Sequence, residues 1–392
     1  MARSRRLITC TRLLFAGLLI VTVGGCRTLK LDPTPGMANA ELDAQKIGTG
    51  SYSSLDSLVE QWSYNAEAGF GPVTPLVVDD YVIVPNRRGE VHAIDRTSGK
   101  RLGVKKFGDA INGTPAISKD LLVIPLDYGE KRSLKVWNLT GAKTAFEIAM
   151  PSVRSDVLLD GKRAYVVDGN SVVHCLSVTT GEECWTSNLD AAVPVFAAPV
   201  AIDEGRLAVV DSGGDVWIIR ASDGRLESRF EIGATVVNNF AVGSRRLIIP
   251  TTDGRLIGLD PDDGATHLLF ESSDPSVQLS APVMNGSRVV FGATDGLVRC
   301  VDGITGREVW QTDVGAPVAA SPAMAGRAAY VGTLGHTVLG LRMEDGSVFW
   351  QATVRGRIKS PLVFVDDELF VLSEPRFLYR FGKGGPIAQH AQ

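Results

Sequence analysis

Short apolar runs alternate with turn residues along most of the chain. Between residues 321 and 351, Ser-Pro-Ala-Met opens one run, Ala328–Gly332 forms a second, Thr337–Leu341 a third and Ser347–Gln351 a fourth. Runs this short, rich in Val, Leu and aromatic residues and bounded by Gly, Asp and Ser, predict strands joined by tight hairpins. The unit then repeats. A turn ending in glycine recurs at Gly99, Gly141, Gly181, Gly224, Gly264, Gly306 and Gly346, at spacings of 42, 40, 43, 40, 42 and 40 residues. A second marker keeps the same pitch at Pro75, Pro115, Pro199, Pro282, Pro322 and Pro361. Four short strands per period of this length are propeller blades.

Seven such turns are complete, and an eighth set of strands is partial at 360–364, 369–372 and 377–381. Its missing fourth strand is available at the other end, as Leu58–Ser63. Sharing one blade between the two ends would close the ring and remove open sheet edges. The expectation is therefore an all-β, eight-bladed β-propeller of four-stranded antiparallel blades over residues 57–384, followed by a tail at 385–392.

The first residues have a different pattern. Arg3, Arg5 and Arg6 precede an apolar run from Leu13 to Val23, too short to span a bilayer, and then Gly24-Gly25-Cys26. Val23–Cys26 resembles a bacterial lipobox, which assigns 1–25 to a lipoprotein signal peptide and Cys26 to lipid attachment. Several acyl chains on one cysteine anchor durably where a single chain does not. Arg27, rather than Asp, at the next position implies the outer membrane as destination. Residues 26–56 lack strand alternation and read as a lipidated flexible tether, with a weak helix signal around 38–47.

Composition adds mainly exclusions. Forty Lys and Arg against 44 Asp and Glu give a net charge of −4 over 392 residues, so no basic balance favours nucleic acid. A mean hydropathy of +0.09 is too low for a multi-span membrane protein. None of the five cysteines lies in CxxC or beside another, which leaves zinc clusters, haem attachment and redox dithiols unsupported.

Around the turn glycines a more specific pattern stands. Cys175-x-Ser177-x2-Thr180-Gly181-x3-Trp185, Cys300-x-Asp302-x2-Thr305-Gly306-x3-Trp310 and Gly340-x5-Gly346-x3-Trp350 resemble the tryptophan-docking motif of quinoprotein-dehydrogenase-like propellers. Ala93 through Gly99 matches except for its tryptophan. The motif implies that Gly99, Gly181, Trp185, Gly306, Trp310, Gly346 and Trp350 dock neighbouring blades. With the lipobox and no further domain, the chain resembles the BamB-like outer-membrane lipoproteins. That resemblance implies a monomeric, non-catalytic propeller without a cofactor, facing the periplasm, whose protein partner is a BamA-type barrel-assembly component. The family's partner loops carry Leu-x-Leu-Arg and Asp-x-Asp segments; here the corresponding stretches read Ala191–Phe196 and Thr235–Phe240, and neither matches. The candidate partner-binding residues are Val193, Val195 and Phe196, on the most apolar of the loops between blades, with Asn238 and Asn239. A propeller with a different envelope partner, or a PQQ-dependent dehydrogenase, remains the alternative.

Enzymes of the wider superfamily hold pyrroloquinoline quinone and Ca2+ in the funnel and typically use adjacent cysteines, which are absent here. The paired acids Asp79-Asp80, Asp262-Asp263 and Asp366-Asp367 fall at turns and read as turn formers. His92 and His174 occupy equivalent positions that other blades fill with Trp217, Ile257, Arg299 or Leu339, so the position carries no chemical requirement. Cys175 and Cys184 flank the Val178–Gly181 turn symmetrically, which leaves open a disulfide but favours two buried free thiols.

Overall fold

A computed structural model describes residues 28–39, 41–42, 57–127, 133–203, 205–243 and 245–384. Residues 1–25, expected to be a signal peptide, Cys26 and the expected 385–392 tail lie outside the described residues. Eight antiparallel sheets form the blades: 76–106, 116–148, 158–188, 200–231, 241–271, 283–313 and 323–353 as blades 1 to 7, and 363–383 with Leu58–Asn65 as blade 8. Leu58–Asn65 pairs antiparallel with Phe377–Lys383, from Leu58 opposite Lys383 to Asn65 opposite Phe377. The ring closes as the sequence predicts.

Burial follows radial position. The second strand of each blade is apolar on both faces, as in Tyr81–Pro85 and Ala328–Gly332, where every residue is buried. The outermost strand alternates, as in Glu308–Asp313, where Trp310 is buried and both neighbours are at least partly exposed. The core clusters lie between blades rather than within them. One joins Val210, Ile218 and Val216 of blade 4 to Leu247, Ile249 and Leu259 of blade 5. Another joins Val290 and Cys300 of blade 6 to Val331 and Leu341 of blade 7.

The docking residues show how each junction is made. Gly99, Gly181, Gly306 and Gly346 have φ of +70° to +76°, a region that strains side chains with a Cβ. A Cβ on Gly346 would also lie 2.6 Å from the Trp310 ring of the preceding blade. The indole N–H of Trp310 donates to the Met343 carbonyl of blade 7 at 3.0 Å, and that of Trp185 to Ala221 of blade 4 at 3.0 Å. Trp350 donates to the Leu58 carbonyl of blade 8 at 2.6 Å. Trp62, which the motif did not identify, does the same from blade 8 to the Arg96 carbonyl of blade 1 at 2.9 Å, with its ring on Gly99. Cys175, Cys300 and Gly340 pair across strands with Trp185, Trp310 and Trp350 of their own blade. The small residue gives its own blade's indole room to lie flat, and the glycine that receives the ring belongs to the next blade.

Four junctions depart from the motif. In blade 4 the ring on Gly264 is Phe230, with Ser228 at the tryptophan position, and in blade 5 the Leu269 backbone lies against Gly306. In blade 2 the left-handed residue is Ala142 (φ +51°) rather than Gly141, because the Asn138 side chain takes the Gly141 N–H and the turn closes one residue later. Phe146, four residues past Ala142, then supplies the ring that lies on Gly181. In blade 1 the tryptophan position is Gly103, which brings no side chain at all. A Cβ there would meet the Thr28 carbonyl at 2.8 Å and Leu29 Cα at 3.0 Å. A segment from outside the repeats fills the junction.

That segment corrects the expected tether over residues 28–42. Leu29, Leu31 and Met37 are buried in one cluster with Ile83, Ile117, Trp137 and Leu139 of blades 1 and 2. Trp137 Nε1 donates to the Leu29 carbonyl at 2.9 Å, Leu31 N to the Leu139 carbonyl at 3.0 Å, and the Tyr81 hydroxyl to the Asp32 carbonyl at 2.9 Å. A helix runs Pro35–Asn39, where Thr34 caps it through Met37 N (3.3 Å) and Pro35 supplies the first helical position; most of the 38–47 signal lies outside the described residues. Glu41–Leu42 then adds an inner strand to blade 2 against Ile117 and Ser118.

Two substitutions test these contacts. Trp310→Ala removes a buried ring between blades 6 and 7 and is expected to cost about 3–5 kcal/mol in denaturant unfolding. Leu29→Ala should cost about 2–5 kcal/mol, as a core deletion does. A tether residue would show no loss, and an unchanged midpoint for Leu29→Ala would refute the packed segment.

Candidate protein-binding face

The hairpins joining second to third strands, and the loops running from one blade's outermost strand to the next blade, share one face of the ring. Hydrogen bonds tie the two sets together: Phe107 N donates to the Gly89 carbonyl at 2.7 Å and Ser212 N to the Pro194 carbonyl at 2.9 Å. The face is consequently a set of loops held by a rigid scaffold, the usual setting for binding residues.

The predicted residues divide on this face. Phe196 is 43% exposed and Val193 36%, whereas Val195 is half-buried against the core between blades 3 and 4. Phe196 is therefore not a plug between blades. Val237, which sequence reading passed over, is 47% exposed on the next loop. Asn238 and Asn239 spend their side chains on the scaffold. Asn238 Nδ2 donates to the Leu279 carbonyl at 2.7 Å, and Asn239 Oδ1 accepts from Ala198 N at 2.9 Å. They hold adjacent loops in register while Val193, Phe196 and Val237 stay open.

Beneath this patch lies Asp211, 1% exposed, in the hairpin of blade 4. Its Oδ1 accepts from the backbone N–H groups of Gly213 and Asp215, each at 2.9 Å, but its buried Oδ2 has no hydrogen-bond partner among the described residues. Burial, helped by the nearby Asp215 charge, pushes this carboxyl above the usual range against the opposing backbone N–H bonds. The repeat explains the missing partner. One blade earlier, Asp168 Oδ2 lies 3.1 Å from His174 Nε2, and the position equivalent to His174 in blade 4 is Trp217.

The two equivalent histidines have opposite surroundings. His92 is fully buried, its Nδ1 2.9 Å from the Tyr64 hydroxyl and its Nε2 3.1 Å from Asn86 Nδ2. Burial lowers its pKa, only partly offset by Glu90. For His174 burial acts in the same direction, but Asp168 and Glu183 outweigh it and the pKa is raised. Both serve the scaffold, as the sequence suggested.

Cys175 and Cys184 are free thiols, and Cys184 is exposed, not buried as expected. Strand pairing runs Cys175 to Trp185 and Leu176 to Glu183, so Cys184 is the extra residue of a bulge and the presumed symmetry about the turn fails. Burial first, then the neighbouring Cys184, pushes the Cys175 thiol up to about 12. Among the described residues no group of three or more His, Cys, Asp or Glu is placed to hold a metal ion.

The family model described as "Outer membrane protein assembly factor BamB" matches residues 34–187, 169–316 and 294–384, nearly the whole ring. This chain belongs to the BamB family. BamB of Yersinia pestis is 30% identical over 338 residues, covering 66% of this chain and 84% of the relative. The structure of BamB from Moraxella catarrhalis superposes with a TM-score of 0.66 at 16% identity, over 83% of this chain and 99% of that one, a likeness of fold. Quinohemoprotein alcohol dehydrogenase of Comamonas testosteroni is also similar, 26% identical over 270 residues, covering 59% of this chain and 37% of the enzyme. The chain spans about half or less of the length of the first curated relatives it matches. The BamB membership and the shared propeller account for both kinds of relative.

The histidines give a pH signature. His92, with its pKa lowered, favours the fold above the unfolded value near 6.5 and loses that contribution as pH falls. His174, with its pKa raised, favours the fold below that value and loses its contribution as pH rises through the folded pKa. NMR titration should therefore find His174 titrating above His92; the reverse order would contradict these environments.

Proposed function

We propose that this chain is a lipid-anchored, non-catalytic scaffold that binds protein in the periplasm and assists the assembly of β-barrel proteins into the outer membrane. Membership of the BamB family supports the assembly role, and the residues 23–26 support lipid attachment at Cys26 with the propeller facing the periplasm. The observation that carries the binding reading is the exposure of Val193, Phe196 and Val237 on neighbouring loops whose own polar groups are internally bonded. Apolar side chains grouped on a rigid rim suit a protein partner, with the aromatic as anchor.

The partner in this reading is a BamA-type component. The departures at 191–196 and 235–240 favour a second reading, an envelope propeller of the same build with a different protein partner. Crosslinking of the anchored protein followed by pull-down separates the two: a barrel-assembly component supports the first, and its consistent absence the second.

Two variants check the parts. Phe196→Glu should abolish partner capture in that pull-down while leaving the melting temperature nearly unchanged, since the side chain is substantially exposed. Unfolding of the variant would show that Phe196 is core. Cys26→Ser should leave a folded propeller that no longer partitions with outer membranes, and continued sedimentation would remove Cys26 as the anchor.

A further inference from the structure

The structure points to a second contact surface, and we propose that the outer edge of blade 1 lies against an anionic phospholipid surface. This rests on the reading of Cys26 as the lipid-attachment residue. Only Arg27 separates Cys26 from Thr28, whose carbonyl lies against Gly103 in the outermost strand of blade 1. An extended residue spans at most ~3.6 Å, so Cys26 lies within about 7 Å of Thr28. Leu29 and Leu31 are buried immediately afterwards and cannot pay out slack without emptying the junction between blades 1 and 2. The acyl chains are therefore tethered within a side chain's reach of this edge, and the bilayer surface with them.

The charge of that edge is unlike the rest of the ring. The strand Arg101–Lys106 carries Arg101, Lys105 and Lys106 and no acid. The outermost strands of the other seven blades carry a net charge of zero or below: Lys143–Ile148 balances one Lys with one Glu, Val348–Thr353 has no charge, and the remaining five are net acidic. Lys100, in the turn leading into the strand, and Lys30, one residue past Leu29, are exposed and add to the same edge. Lys30, Lys100 and Lys106 make no ion pair among the described residues. Lys105 extends over the Trp137 ring, its Nζ 4.6 Å from the centroid, and Arg101 pairs with Glu67 at 2.8 Å. Asp32 is the exposed acid within the clamped segment. Acyl chains joined to a basic patch form a two-signal attachment, and basic side chains are drawn to anionic headgroups within a Debye length. A blade edge resting on the bilayer sets the ring axis along the membrane plane, so the loop face bearing Phe196 opens sideways.

The test uses the full lipidated chain in vesicles of phosphatidylethanolamine with phosphatidylglycerol, and in phosphatidylcholine alone, with lysine acylation read by mass spectrometry. In the anionic vesicles Lys30, Lys100 and Lys106 should be protected about fivefold, the scale of one basic group held at an anionic surface. Lys162 and Lys359, on blade 3 and before blade 8, should label equally in both lipids. Lys100→Glu with Lys106→Glu should abolish the protection of Lys30 while the protein stays membrane-bound and folded. Equal labelling of all lysines in a protein that still sediments with vesicles after a high-salt wash overturns the edge contact and leaves the anchor standing. Release by that wash overturns the anchor, and the edge contact with it.

Discussion

An aromatic ring laid flat on a left-handed glycine of the next blade is the contact on which the ring depends. Blades in a propeller touch only their neighbours, so stability is close to a sum of junction terms. Five junctions set an aromatic ring at the outer edge, where the blades splay apart, on a bare glycine backbone of the next blade. Trp310 on Gly346, Trp185 on Gly224, Phe146 on Gly181 and Trp62 on Gly99 are one solution repeated. The indole N–H ends on a backbone carbonyl of the receiving blade, which satisfies the one polar atom that burial would strand.

The same constraint explains what fills the junction after blade 1. With Gly103 at the docking position, blade 1 brings no ring to that position, and an unfilled gap of indole size would forfeit several kcal/mol. Leu29, Leu31 and Met37 occupy it, and Trp137 turns its N–H to the intruding backbone. A residue run lying outside the repeats has thereby become part of the ring.

Legibility in the sequence tracked repetition. Turn glycines and Pro markers recur at a fixed pitch, so blade number, closure by 58–65 and most docking residues could be read before any coordinates. What failed to repeat was hidden. Leu29, Leu31 and Met37 are too few to give a periodicity, so the segment resembled a linker. Trp62 sits in the strand split from its blade, without the glycine turn that marks its counterparts. Cys184 was misplaced because a one-residue bulge is invisible to counting from a turn. On the loop face, Phe196 could be singled out by its apolar setting, but composition could not separate exposed Val193 from half-buried Val195, nor reveal that Asn238 and Asn239 bond inward. Asp211 had a readable signal: aligned on the repeat, it is Asp168 with its histidine replaced by Trp217.

Blade 8 has a consequence for how the molecule comes into being. Its outermost strand, Leu58–Asn65, emerges early in synthesis, and its partner Phe377–Lys383 is among the last strands made. Every other strand pairs with one made just before or after it, apart from the short Glu41–Leu42 strand. The ring thus assembles from local hairpins and then waits on a single pairing of extreme sequence separation, the kind that slows folding most. Until that pairing forms, the edge of Phe377–Lys383 and the outer face of Gly99 stand open together, one as an unpaired strand and the other as an empty receptor for Trp62. A chain halted at this stage exposes a template for strand addition, the route by which a late-closing ring would aggregate.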